Sequence, residues 1–293
     1  MAKKNSGQNE SSHGIPVPNG KLLAIGGKED KGITGEQNQR QENHNLEILG
    51  RFVEELKGDN PTVAIVPTAS SVPDEIAKDY VEVFKKLNVK NIEILDIRSR
   101  MDAKDPAFCE IVNRASGIFI TGGDQLKLTA ILGGTRILQL MKERYTFDNI
   151  IVAGTSAGAA AMSTPMIYEG DTDGGMIKGD VRITTGLEFM KNVAVDTHFI
   201  TRGRIVRMAQ AIATNPGCIG IGLEEDTAIM VTEGRNIEVL GNGLITVVNG
   251  MDITYTNIYE IGNGEPFTVQ DLKVHFLNKG ECFRLTFYEQ LHI

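Results

Sequence analysis

Five short runs constrain the fold of this chain more than anything else in it: Lys21–Ile25, Thr62–Val66, Asn91–Leu95, Gly117–Ile120 and Asn149–Ala153. They are rich in β-branched residues and nearly all apolar, without the alternation expected of a strand with one wet face. Such strands are buried on both faces, as in parallel sheets. Between them, Asn45–Leu56, Pro73–Leu87 and Gln125–Lys142 carry apolar residues at 3.6-type spacing and predict crossover helices. The β-α-β-α-β order is that of a doubly wound, mostly parallel α/β sheet.

Composition supports a folded core. Of 293 residues, 41% are hydrophobic and 23% charged, which excludes disordered, collagenous or coiled-coil organisation for the bulk of the chain. A net charge of −8 argues against a nucleic-acid or anionic-membrane surface. Cys109, Cys218 and Cys282 are too few and too scattered for a disulfide framework or a zinc site, and no other metal-ligand pattern stands out. No apolar run is long enough to span a membrane. Residues 1–20 are polar and lack the apolar core of a secretory signal, so they read as a flexible tail. A cytoplasmic protein with one α/β domain over residues 21–293 is the expectation. From about Thr227, the runs Ala228–Val231, Asn236–Leu240, Leu244–Val248 and Lys273–Leu277 are separated by turn signals and predict an antiparallel β extension of that domain.

The stretch Ile150–Ala160 carries the clearest chemistry: a buried strand, then G-x-S-x-G, then a helix start of small residues. A sharp strand-to-helix turn there exposes Ser156 Oγ as a nucleophile and leaves the Ala157 amide at a helix N-terminus, where an oxyanion can bind. The plainer alternative is a Gly-rich turn with an N-cap serine. A serine nucleophile needs a base, and the chain has five histidines. His13 lies in the tail, His292 beside the C-terminus, His44 at a helix start and His275 within a late strand, so elimination favours His198, at the end of the apolar run Val193–Val195. An orienting carboxylate could come from Glu224, Glu225 or Asp226, at the end of the buried run Cys218–Leu223; spacing does not choose among them. The Ser…His…acid order differs from that of α/β-hydrolases.

Two further clusters point to the same edge. Thr121-Gly122-Gly123-Asp124-Gln125 is a strand running into a diglycine turn, whose unshielded amides (Gly123 above all) suit a second oxyanion donor; a plain turn with Asp124 as helix N-cap fits equally well. Arg202, Arg204 and Arg207 sit at a helix start, where they oppose the helix dipole; carboxylates that they bind would explain them, and a solvated basic face fits equally well. Gly26-Gly27 does not make a nucleotide site, since neither G-x-G-x-x-G nor a P-loop is present.

Together these residues resemble cyanophycinase, in the serine peptidase group that also contains dipeptidase E. The likeness extends from about Lys21 to Val231. It rests on Thr121–Gln125, Gly154–Ala159, Asp196-x-His198-Phe199-x-x-Arg202-x-Arg204-x-x-Arg207 and Gly220–Ala228. It implies a glutamine-amidotransferase-like sheet with Ser156 as nucleophile, His198 as general base and Glu225, among the three acids, as its partner. It also implies a substrate pocket lined by Gln125, Asp196, Arg202, Arg204 and Arg207, with Asp124 taken as substrate-binding beside them, no cofactor and a homodimer. The implied activity is release of β-Asp-Arg dipeptides from cyanophycin, a polyaspartate bearing arginine on each side-chain carboxylate. Asp196 would then receive a substrate guanidinium. One departure is Thr197, where cyanobacterial members carry Gln. An α-aspartyl dipeptidase of the dipeptidase E type is the nearest alternative, and a non-catalytic binding protein on the same fold a more distant one.

Overall fold

The computed structural model describes residues 16–29, 31, 46–170 and 175–286. The expected tail lies outside these residues as far as residue 15, as do His13, His44 and His292. The Asn19 and Gly20 amides donate to the Thr146 and Tyr145 carbonyls at 3.1 and 2.9 Å, so the last two residues of the expected tail are hydrogen-bonded to the domain.

The first half alternates strictly. In order come β1 (Lys21–Ile25), α1 (Glu47–Glu54), β2 (Thr62–Val66), α2 (Pro73–Lys86) and β3 (Asn91–Ile94). Then follow α3 (Pro106–Arg114), β4 (Gly117–Ile120), α4 (Gln125–Leu132), α5 (Arg136–Phe147) and β5 (Ile151–Thr155). The five strands lie side by side in the order β1-β5-β4-β2-β3, all parallel. Successive residues feed different cores: Leu22 and Ala24 join one apolar cluster, Leu23 and Ile25 the other, and Phe119 faces away from Ile118 and Ile120. Two-sided burial is why these strands read as continuous apolar runs. The single helix expected over Gln125–Lys142 is two helices. Gly133 and Gly134 follow α4, and the Thr135 hydroxyl caps α5 by accepting from the Leu138 amide at 3.3 Å.

The second half contains α6 (Ala157–Ala161), β6 (Ser163–Thr164), β7 (Met166–Glu169), β8 (Arg182–Thr184), β9 (Met190–Lys191) and β10 (Val193–Thr197). After them come α7 (Ile205–Thr214), β11 (Ile219–Leu223), β12 (Thr227–Thr232), β13 (Asn236–Gly241) and β14 (Leu244–Asn249). The last strands are β15 (Tyr255–Thr256), β16 (Val269–Gln270), β17 (Lys273–Asn278) and β18 (Cys282–Arg284). The late strands are antiparallel additions, as expected, but they divide between two sheets. β12 pairs antiparallel with β1 and β13 antiparallel with β12 in the central sheet, whereas β14 and β17 join β11 and β10 in a second, six-stranded sheet. Sequence pattern alone does not reveal this second sheet. Its strands β10 and β11 pair parallel, and Val193, Val195, Ile219 and Ile221 share one apolar cluster with Leu22 and Val152 of the central sheet. Among the described residues no helix is long and apolar enough to cross a membrane.

Candidate active site

At the C-terminal end of β5 the chain turns sharply into α6 through Ser156, whose backbone adopts φ 50 and ψ −115. A positive φ on a non-glycine residue costs on the order of 1–3 kcal/mol, and surrounding contacts must hold it. They do: the Ser156 amide donates to the Ile25 carbonyl at 2.9 Å, and all five residues of α6 are buried. The helix sits flush on the end of β4, because a Cβ on Gly158 would lie 2.5 Å from the Ile120 carbonyl oxygen. The small-residue run Ala157–Ala161 is thus a packing requirement of the turn.

Ser156 Oγ lies 3.0 Å from His198 Nε2, and His198 Nδ1 lies 2.7 Å from Glu225 Oε1. The two partners come from the second sheet. His198 follows β10 with φ 50, Glu225 follows β11, and the parallel pairing of these strands, Thr197 beside Leu223, brings their ends together. The three acids are distinguished by their contacts. Glu224 accepts from the Ile200 and Thr201 amides at 2.7 and 3.0 Å, and Asp226 accepts from Asn242 Nδ2 at 2.7 Å. Glu225 alone faces the imidazole, with Lys28 Nζ 3.2 Å from the same carboxylate oxygen.

The electrostatics follow from burial and neighbouring charge. Burial lowers the His198 pKa below its usual value, and the Arg202 and Arg204 guanidiniums push it the same way against the opposing Glu225 hydrogen bond. Burial acts to raise the Glu225 carboxyl, but hydrogen bonds from His198 and Lys28 outweigh it and hold Glu225 below the usual carboxylate range. At neutral pH the arrangement is therefore a neutral imidazole between a hydroxyl and a carboxylate.

The arginine trio divides. Arg207 is buried and grips Asp196 through two nitrogens, Nε to Oδ2 at 2.6 Å and Nη2 to Oδ1 at 2.5 Å. Arg204 Nη1 donates to Asp196 Oδ1 at 3.0 Å and to the Thr197 carbonyl at 2.7 Å. Asp196 is 2% exposed and both of its oxygens are committed, so the expected reception of a substrate guanidinium does not match this geometry. Asp196, two residues ahead of His198 in the chain, instead holds Arg204 and Arg207. Arg202 is exposed and has no ion-pair partner among the described residues.

Asp124 caps α4 by accepting from the Leu126 and Lys127 amides at 2.8 and 3.2 Å, which accounts for its carboxylate without a ligand. Gln125 donates to the Ile167 carbonyl at 3.3 Å and so ties α4 to β7. The diglycine turn does approach Ser156, since a Cβ on Gly122 would sit 3.3 Å from Ser156 Cβ. Among the described residues no group of three or more His, Cys, Asp or Glu side chains is arranged to hold a metal.

Two residues beside the site escape sequence reasoning. Lys28 and Glu29 follow β1; Glu29 is 5% exposed, and Thr155 Oγ1 donates to its Oε2 at 2.6 Å while the Tyr80 hydroxyl donates to its Oε1. Their partners are distant in sequence, so no local spacing signals them.

The profile of Peptidase family S51 matches residues 33–239. Cyanophycinase of Synechococcus elongatus is 34% identical over 273 residues, covering 93% of this chain and 81% of that protein. Cyanophycinase of Geminocystis herdmanii is 35% identical over 262 residues, covering 89% of this chain and 92% of that one. A crystal structure of a peptidase from an acI-B1 Actinobacterium shares the fold with a TM-score of 0.62 at 20% identity, over 92% of this chain and 98% of its own. With a serine at the strand-to-helix turn and relatives matched over 81% and 92% of their length, the chain belongs to peptidase family S51 and is a cyanophycinase-like serine peptidase.

Proposed function

We propose that this peptidase hydrolyses cyanophycin to β-Asp-Arg dipeptides through an acyl-enzyme on Ser156. The observation that carries the reading is the unbroken hydrogen-bonded chain Ser156–His198–Glu225, with the exposed Arg202, which has no ion-pair partner among the described residues, close enough to lower the His198 pKa. Ser156 Oγ attacks a backbone carbonyl between aspartates while His198 Nε2 takes its proton. Glu225 accepts from Nδ1–H and stabilises the imidazolium. The developing oxyanion is received by the Gly123 and Ala157 amides. His198 then returns the proton to the departing amine, and a water deprotonated by the same imidazole releases the dipeptide. Arg202 is suited to a substrate carboxylate, because its guanidinium is exposed and has no ion-pair partner among the described residues.

Mass spectrometry of products from insoluble cyanophycin and, in parallel, from α-aspartyl dipeptides tests the substrate. Release of β-Asp-Arg from the polymer is the expected result; cleavage of the small dipeptides alone moves the assignment to a dipeptidase E-type activity.

The pH dependence has a defined sign. His198 must be neutral to act as base and its pKa is lowered, so the acid limb of kcat/KM lies below pH 6.5, the ordinary histidine value. Arg202→Gln removes a charge that depresses this pKa, and the limb should move to higher pH. A limb that stays put, or moves down, contradicts the electrostatic role given to Arg202.

A further inference from the structure

The segment Gly26–Glu29 touches every member of the Ser156–His198–Glu225 chain. The Gly26 carbonyl accepts from the His198 amide at 3.2 Å, and the Gly27 carbonyl accepts from the Asp226 amide at 2.9 Å. Gly27, with φ 98, lies against the imidazole: a Cβ there would be 2.6 Å from His198 Cε1 and 3.3 Å from Ser156 Cβ. Lys28 Nζ meets Glu225 at 3.2 Å. Glu29 turns inward, where hydroxyls of Thr155, the residue before the nucleophile, and Tyr80 on α2 converge on it. Among the described residues this buried carboxylate has no cationic partner at salt-bridge distance. It is held by two neutral donors, a costly arrangement for a group with only a packing role.

The need for such a tie follows from the fold. Ser156 stands on the central sheet, whereas His198 and Glu225 stand on the second, so no single ladder of hydrogen bonds fixes the distance between nucleophile and base. Resting on the catalytic roles proposed above, we infer that Glu29 is a positioning residue: it anchors the Gly26–Glu29 segment to β5 and α2, and that segment keeps Ser156 Oγ and His198 Nε2 in register across the two sheets. The anchor is rigid at its far end, because the Tyr80 ring packs on Phe119 with centroids 4.6 Å apart, and Phe119 packs edge-on against Phe52 and Phe84. Burial and the Glu29 charge both raise the Tyr80 pKa, so the phenol stays protonated and remains a donor.

The test uses the full chain and two readouts: the rate at which a fluorophosphonate probe labels Ser156, and kcat and KM on cyanophycin, each per folded molecule. Glu29→Ala should lower the labelling rate and kcat together, by on the order of 10²-fold, with KM unchanged, as expected when a nucleophile and its base lose register. Glu29→Gln keeps the shape and an acceptor oxygen and should restore most of both rates. If Glu29→Ala does not fold, Thr155→Val removes one donor at nearly constant volume and should lower labelling in the same direction. Wild-type labelling in the folded Ala or Val variant overturns the proposal, and so does a loss that Gln fails to rescue. A wild-type enzyme labelled at Ser156 but inactive on cyanophycin leaves this inference standing and removes the substrate assignment; no labelling in the wild type removes both.

Discussion

Ser156→Ala should abolish turnover, with kcat/KM falling by about 10⁴-fold or more. Only the hydroxyl is removed, and its hydrogen-bonding partner among the described residues is His198 Nε2 at 3.0 Å, so the packing that holds the turn is untouched. The positive φ at position 156 is no harder for alanine than for serine, and the Ile25 carbonyl still accepts from the residue's amide. A thermal midpoint near that of the wild type should therefore accompany the lost activity. The check is dipeptide release by the purified variant, alongside its circular dichroism and melting curve. Turnover within tenfold of the wild type would place the nucleophile elsewhere.

Glu225→Gln is the second large effect, about 10³- to 10⁴-fold in kcat at neutral pH. The carboxylate accepts from His198 Nδ1–H at 2.7 Å and so leaves Nε2 free to accept the Ser156 proton. An amide nitrogen placed there favours the opposite tautomer, with the hydrogen on Nε2 facing Ser156 Oγ. The imidazolium formed in the transition state also loses its counter-charge, and Lys28 loses its partner. Because Glu225 raises the His198 pKa, its removal lowers that pKa further, and the acid limb of the remaining activity should move down. Kinetics across the pH range check both parts. A loss below tenfold, or a limb that rises, contradicts the assigned role.

Much of the fold is legible in the sequence because its central strands are buried on both faces and leave an apolar signature that needs no tertiary context. The diglycine at 133–134 is equally local, yet the helical periodicity on either side masks the break it causes. The second sheet is less legible. β10 and β11 carry the same apolar signature as the central strands, and nothing in their residues says which sheet they join. Within the site, Gly154–Gly158 has a spacing that reports its own geometry, whereas the choice of Glu225 over Glu224 and Asp226 depends on where three adjacent side chains point. Asp196 and Glu29 show the same limit from opposite sides. Asp196 is visible beside His198 but its partners Arg204 and Arg207 consume it, and Glu29 matters only through Thr155 and Tyr80, far along the chain.

The division of the site between two sheets also orders events in time. Synthesis runs from the N-terminus, so the nascent chain carries Ser156 well before β10 and β11 deliver His198 and Glu225, and before β12 closes along β1. The β1–β12 pairing, which joins Leu22 to Val231, has a high sequence separation and forms late and slowly. On the roles proposed for Ser156, His198 and Glu225, a ribosome-bound or half-folded chain thus holds an inert serine, and hydrolytic competence becomes a report that both sheets are complete.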